Sequence, residues 1–201
     1  MLNKYKIDSS YFVYTGSAYP SKDLPTLLQA LKNLNQNPSV EFSKENSTSP
    51  FKKGDSIKLL IACARSVFWE KLQKMIQEMN LNSQVLLPGR IPDEDLVVLY
   101  QNAAAFVMPS LMEGFGLPAL EAMAVGCPII SSNAGSLPEI YGNIATYFTA
   151  GNSDDLAKKM QEVLELNKEE RRKIIDKGIK YTKQFNWDKA GKEVLNLYEK
   201  N

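Results

Sequence analysis

The chain of 201 residues contains no histidine. That absence removes Ser-His-Asp and Cys-His catalysis, histidine zinc sites and a histidine general base from this polypeptide. Cysteine is nearly as scarce. Cys63 and Cys127 each sit in an apolar run and read as small core residues, which suits a reducing compartment. An excess of one charge is missing too. The 24 basic and 23 acidic residues leave +1, so composition gives no electrostatic case for nucleic acid or a membrane surface. No run reaches the ~18 apolar residues of a membrane span, and residues 1–6 lack an apolar signal core. With 44% hydrophobic and 23% charged residues, disordered, collagen-like and coiled-coil classes fall away. At ~150 residues per domain, the length suits one domain with a sizeable core. A cytoplasmic single domain is the expectation.

What is present is an alternation. Short apolar runs at Tyr11–Thr15, Ile57–Cys63, Gln84–Leu87, Ala104–Met108, Pro128–Ser131 and Ala145–Phe148 read as strands buried on both faces of a parallel sheet. Between the first two, Leu24, Leu27, Leu28, Leu31 and Leu34 form a helical stripe with Ser21 as its expected N-cap. Further helices are expected at Phe68–Met79, Asp93–Asn102, Ser153–Leu166, Lys168–Tyr181 and Trp187–Tyr198. The pattern predicts a doubly wound α/β domain of about six mostly parallel strands with extra C-terminal helices. Residues 43–55 are polar, aperiodic and rich in turn formers, and read as a loop insertion.

In such a sheet, ligands sit outside the carboxyl ends of the strands, so the strand-to-helix turns carry the interest. The densest is Met108–Pro128, where Gly114-Phe115-Gly116 opens a helix with Pro118 in its first turn and Gly126 at its end. That helix is apolar nearly all round and is expected to be buried. Glu121 is its one charge. It is either a surface residue on a wet edge or a carboxylate facing a ligand crevice and accepting from hydroxyls such as a ribose diol. Glu113, alone an exposed loop acid, lies beside a helix N-terminus suited to anions. A second turn runs from Gly16 and Ser17 to Lys22, which is either a solvated lysine or a cation facing a phosphate. A third, Gly89-Arg90-Ile91-Pro92, is either a plain loop or a main-chain rest for the edge of a base.

Residues 114–119 formally match the dinucleotide fingerprint G-x-G-x-x-[GA]. The match falls on the fourth strand rather than the first, and its turn is several residues too long. The following strand ends in Ser131-Ser132-Asn133, where a ribose-binding acid is needed, so the NAD reading is set aside. No G-x-x-x-x-G-K-[ST] occurs, which excludes a P-loop.

Glu113-Gly114-Phe115-Gly116-Leu117-Pro118 followed by Glu121-Ala122 resembles the E-x7-E signature of the retaining group 1 (family 4) glycosyltransferases. Met108-Pro109-Ser110, residues 126–131, Leu137-Pro138-Glu139, the Gly16-to-Lys22 spacing, residues 89–92 and Trp187 fit the same family. The resemblance implies the C-terminal, donor-binding half of a GT-B enzyme that takes a nucleotide-diphosphate sugar, UDP- or GDP-linked, with retention. It places Glu121 on the ribose, Glu113 by the donor sugar, and Arg90 and Ile91 along the base. Gly16, Ser17, Lys22 and the amides of Gly114, Phe115, Gly116 and Leu117 would meet the diphosphate. Glu113 and Lys22 would serve catalysis, with neither cofactor nor metal. The arginine common in the first loop is replaced by serine at Ser17 and Ser21, leaving Arg65 or Arg90 to compensate.

The acceptor site, and the histidine often found at the reaction centre, belong in this family to an N-terminal domain not found in these 201 residues. Alone, the chain is expected to lack turnover. Any peripheral place at the inner membrane face would come from that second domain, and no nucleic acid partner is expected. A nucleotide-sugar-binding module, or a subunit with a separate acceptor-binding partner, is the alternative. The apolar stripe of Trp187–Tyr198 is expected to be uncovered, and so to fray or to pair weakly with a second copy.

Overall fold

The computed structural model describes residues 1–36 and 56–199, and the expected insertion at 43–55 lies outside them. Six strands, β1 (Tyr11–Thr15), β2 (Lys58–Ala62), β3 (Val85–Leu86), β4 (Phe106–Met108), β5 (Ile129–Ser132) and β6 (Thr146–Phe148), form one sheet. All neighbours are parallel, in the order β3-β2-β1-β4-β5-β6. Val13 is the register centre, opposite Leu60 on one side and Phe106 on the other. The helices are α1 (Leu24–Gln36), α2 (Val67–Glu78), α3 (Asp93–Asn102), α4 (Leu117–Ala124), α5 (Leu137–Tyr141), α6 (Ser153–Leu164), α7 (Lys168–Thr182) and α8 (Trp187–Glu199).

The unbroken apolar character of the strands follows from this layering. Successive side chains point to opposite faces. Phe12, Tyr14, Leu59 and Ile61 enter a core with the leucines of α1 and with Leu156 and Met160 of α6. Tyr11, Val13, Leu60, Phe106 and Met108 enter a second core with α3, α4 and α5. This is the doubly wound, Rossmann-like sheet that the alternation predicts, with extra C-terminal helices.

Two local expectations need correction. Ser21 does not cap α1. The chain first makes a 3₁₀ turn at Pro20–Lys22 and passes through Asp23 at φ 48°, so α1 starts at Leu24. Nor is α4 buried all round. Ala119, Leu120, Ala122 and Met123 are buried, but Leu117, Glu121 and Ala124 form an exposed edge. Its inner side is tight: a Cβ on Gly178 of α7 would lie 2.8 Å from Met123 Cγ. Gly126, at φ +91°, ends the helix as expected.

No residue of α8 is buried, and Trp187 is 82% exposed. The apolar stripe of this helix is uncovered, as the sequence suggests. Among the described residues no helix is long and apolar enough to cross a membrane.

A short 3₁₀ segment, Leu2–Tyr5, docks on α3 through an ion pair between Lys4 and Asp95, and Tyr5 also donates to that carboxylate. The hydrogen bond from Lys4, then that from Tyr5, holds the Asp95 carboxyl below its ordinary range. Its contribution is therefore complete above the unfolded value of ~3.9 and is lost as pH falls through the lower native value, where the unfolded chain binds more protons. Urea unfolding from pH 6 to pH 3 should show Asp95→Asn losing less stability across that window than the wild type. Parallel losses would show the contact to be energetically silent.

Candidate functional site

Strand order reverses between β1 and β4, which makes that gap the switch point where an open parallel sheet holds its ligands. The loops that leave these two strands, residues 16–23 and 109–116, therefore face each other. A main-chain bond from the Leu111 N–H to the Ser21 carbonyl, 2.9 Å, ties them. Above it, the Lys22 ammonium donates to the Glu113 carboxylate. The two side chains are 21% and 16% exposed, so each charge is largely withdrawn from water and compensated by the other.

The β1 side of the crevice is closely packed. Gly16 has φ +145°, and a Cβ there would lie 2.9 Å from Tyr14 Oη. That hydroxyl donates to the Ser17 carbonyl at 2.7 Å. Burial pushes the Tyr14 phenol well above its ordinary value, so it remains a donor at neutral pH. Thr15 shares a 2.8 Å hydrogen bond with Tyr100 Oη, which links the end of β1 to α3.

On the β4 side, residues 113–116 form the turn into α4. Gly116 is the N-cap at φ +77°, Pro118 occupies the first turn, and no side chain caps the helix. The helix start is thus left without a protein acceptor from a cap, the arrangement that favours anions. Ser136 Oγ lies 2.7 Å from the Glu113 carbonyl and 2.8 Å from that of Gly114, while Tyr141 Oη donates to the Gly116 carbonyl at 2.7 Å. Neither hydroxyl stood out in the sequence. Leu137-Pro138-Glu139 entered the sequence reading only as residues that fit the family resemblance, and nothing in the residue pattern showed what the neighbouring side chains would hold.

The remaining candidates are more dispersed. Glu121 lies on the exposed edge of α4, a position that both readings of it allow, and its charge adds to the burial that raises the Tyr100 phenol. With Phe115, Leu117, Phe185 and Trp187 it lines a groove of about 420 Å³ between α4 and α8. Phe115 meets Phe185 edge to face at 5.8 Å. The Ile91 side chain is buried with Leu99 and Tyr100, leaving only its main chain for a ligand, and Arg90 is exposed. Arg65 is also exposed, and neither arginine pairs with Glu113. Among the described residues, no three His, Cys, Asp or Glu side chains gather as a metal site.

The sheet order and the loop pair at its switch point define a Rossmann-like ligand-binding half. The chain belongs to the glycosyl transferases group 1 family, whose model matches residues 3–181. It is of the type that forms the C-terminal half of these enzymes. It is 29% identical to O-antigen chain mannosyltransferase B of Escherichia coli over 200 residues, 99% of this chain and 48% of that protein. Over 132 residues it is 36% identical to an MMP alpha-(1->4)-mannosyltransferase of Mycolicibacterium hassiacum, covering 64% of this chain and 32% of that one. Sucrose-phosphate synthase of Thermosynechococcus elongatus superposes with a TM-score of 0.77 at 26% identity, over 96% of this chain and 45% of that one. Anabaena HepE, solved with UDP and glucose, shares the fold at TM-score 0.77 and 17% identity, over 97% and 49% of the two chains. The chain spans about half the length of the curated relatives it matches over nearly its whole length.

Proposed function

We propose that this chain is the donor-binding half of a retaining glycosyltransferase that moves a sugar, in the reading favoured by the mannosyltransferase relatives a mannosyl group, from a UDP- or GDP-linked donor. The observation that carries the reading is the Lys22–Glu113 pair, which joins the β1 and β4 loops across the switch point. In this reading Lys22 and the first amides of α4 neutralise the departing diphosphate, Glu113 lies by the donor sugar, and Glu121 takes the ribose hydroxyls. Gly16 and Ser17 border the diphosphate, and Arg90 and the Ile91 main chain border the base. Rate enhancement comes from positioning and from charge stabilisation rather than from a covalent step by the chain. Neither metal nor cofactor has a part in it. The acceptor is held by a second, N-terminal half, without which the chain binds donor but does not turn over, and the uncovered face of α8 is available to that half.

Calorimetric titration of the chain with UDP, GDP, ADP and their sugars tests the reading. Binding of one diphosphate series supports it, and silence across the panel at millimolar concentration refutes it. The ribose assignment has its own check. Glu121→Ala should weaken the preferred nucleotide by about 1.5–3 kcal/mol, the range for bonds to a charged group. Folding should survive, because alanine favours the helix. Unchanged affinity for every nucleotide would remove Glu121 from the site.

A further inference from the structure

The loop between β4 and α4 presents its polar groups in two opposite directions, and the reason lies outside the loop. No peptide bond in the described residues is cis. In a trans peptide the carbonyl of one residue and the N–H of the next point opposite ways. Three carbonyls of the loop are turned to the same neighbour, the segment from Gly135 to Tyr141. Those of Glu113 and Gly114 meet Ser136 Oγ, and that of Gly116 meets Tyr141 Oη. Gly135, at φ +58°, lies against the same turn: a Cβ there would make ordinary contact with the Glu113 carbonyl oxygen at 3.4 Å, so it is the left-handed backbone and not lack of space that calls for glycine. The N–H groups of Gly114, Phe115 and Leu117 are consequently aimed away from this neighbour. Among the described residues no protein acceptor is placed against them.

We propose that Ser136 and Tyr141 are positioning residues that fix the Gly114, Phe115 and Leu117 amides toward the diphosphate of the donor. The inference rests on the reading of this loop as a diphosphate site and adds what orients it. Ser136 has a single proton within reach of two carbonyls, which it gives to one or bifurcates between both, so one side chain bears on two consecutive peptide planes. Tyr141 is fully buried, and burial together with the nearby Glu113 charge pushes its phenol far above neutrality, so it stays a donor at every working pH. Free of these two hydroxyls, the peptide planes of a glycine-rich turn can rotate, and their dipoles no longer add up on one side.

The test uses the full ¹⁵N-labelled chain, titrated with inorganic pyrophosphate and with uridine or guanosine, whichever the wild type binds. In the wild type, pyrophosphate should shift the amide resonances of Gly114, Phe115 and Leu117. The double variant Ser136→Ala/Tyr141→Phe should bind pyrophosphate at least about tenfold more weakly, as expected for losing two hydrogen-bonded supports, while its nucleoside affinity stays within about twofold. Ser136→Thr, which keeps the hydroxyl, should retain wild-type pyrophosphate affinity. Should the Tyr141 change prevent folding, Ser136→Ala alone carries the comparison, with a smaller loss in the same direction. Wild-type pyrophosphate affinity in the variants overturns the inference while leaving the diphosphate site intact. Equal losses for pyrophosphate and nucleoside reduce the two hydroxyls to a general structural role and overturn it as well. A wild type that binds neither pyrophosphate, UDP nor GDP overturns the reading of the loop itself.

Discussion

In Lys22→Ala, UDP or GDP, whichever the wild type prefers, should bind about 10- to 100-fold more weakly, with the matching nucleoside unchanged. One charge-assisted bond to an anion is worth about 1.5–3 kcal/mol. A second effect adds to it. Glu113 is 16% exposed and has Lys22 as its ionic partner, so the substitution leaves a lone carboxylate facing the phosphates. The repulsive part can be separated. Changing Glu113→Gln alongside Lys22→Ala should restore part of the affinity, and the difference is the coupling between the two residues. Joined to an acceptor-binding half, the Lys22→Ala chain should lose roughly 10²–10³ in turnover, the scale for removing one oxyanion donor. Isothermal titration with diphosphate and nucleoside gives the first result. Equal weakening of both ligands would place the lysine outside the phosphate site.

Gly116→Ala should lower folding stability by about 2–5 kcal/mol, the largest loss expected for a glycine-to-alanine change among the described residues. The left-handed conformation at φ +77° costs a side-chain-bearing residue about 1–2 kcal/mol. The space is also taken. A Cβ would fall 1.9 Å from Tyr141 Oη and 3.0 Å from Leu137 Cδ2, and overpacking of this kind adds about 1–3 kcal/mol. Tyr141 cannot swing aside without breaking its own bond to the Gly116 carbonyl. Two comparisons separate the terms. Gly89→Ala, at φ +83° but with nothing within 4 Å, should cost the conformational part alone. Gly116→Ala should be less damaging in a Tyr141→Phe background, where the oxygen is gone. Urea midpoints decide it, and a Gly116→Ala chain as stable as Gly89→Ala would contradict the packing argument.

The sheet was readable because strands buried on both faces leave uninterrupted apolar runs. The expected Tyr11–Thr15 matches β1 to the residue, and Asp93–Asn102 matches α3. The candidate site was readable only in pieces. Lys22 and Glu113 could each be picked out by their place beside a helix start, but they lie 91 residues apart. Their contact comes from β1 and β4 being neighbours, a property of topology and not of either loop. Ser136 and Tyr141 were invisible for a different reason: a hydroxyl that holds a main-chain carbonyl leaves no spacing rule behind. The misplaced cap at Ser21 came from reading a serine before a leucine stripe, whereas the positive φ of Asp23 sets where α1 begins. The exposed edge of α4 entered the sequence reading only as one alternative for Glu121, because an eight-residue helix can be apolar by composition and still leave one side unpacked.

The Lys22–Glu113 pair also determines how the crevice responds to salt. Its two formal charges cancel before any ligand arrives, so the empty crevice holds little of the mobile ion cloud that a bare lysine would collect. In the proposed donor site, an incoming diphosphate would have to draw the ammonium from a carboxylate that competes for it. Affinity is then the difference between two ion pairs, and added salt weakens both. The salt dependence of binding should accordingly be shallow in the native chain, and in Glu113→Gln, where Lys22 starts unpaired, it should steepen toward that of a simple cation–anion contact.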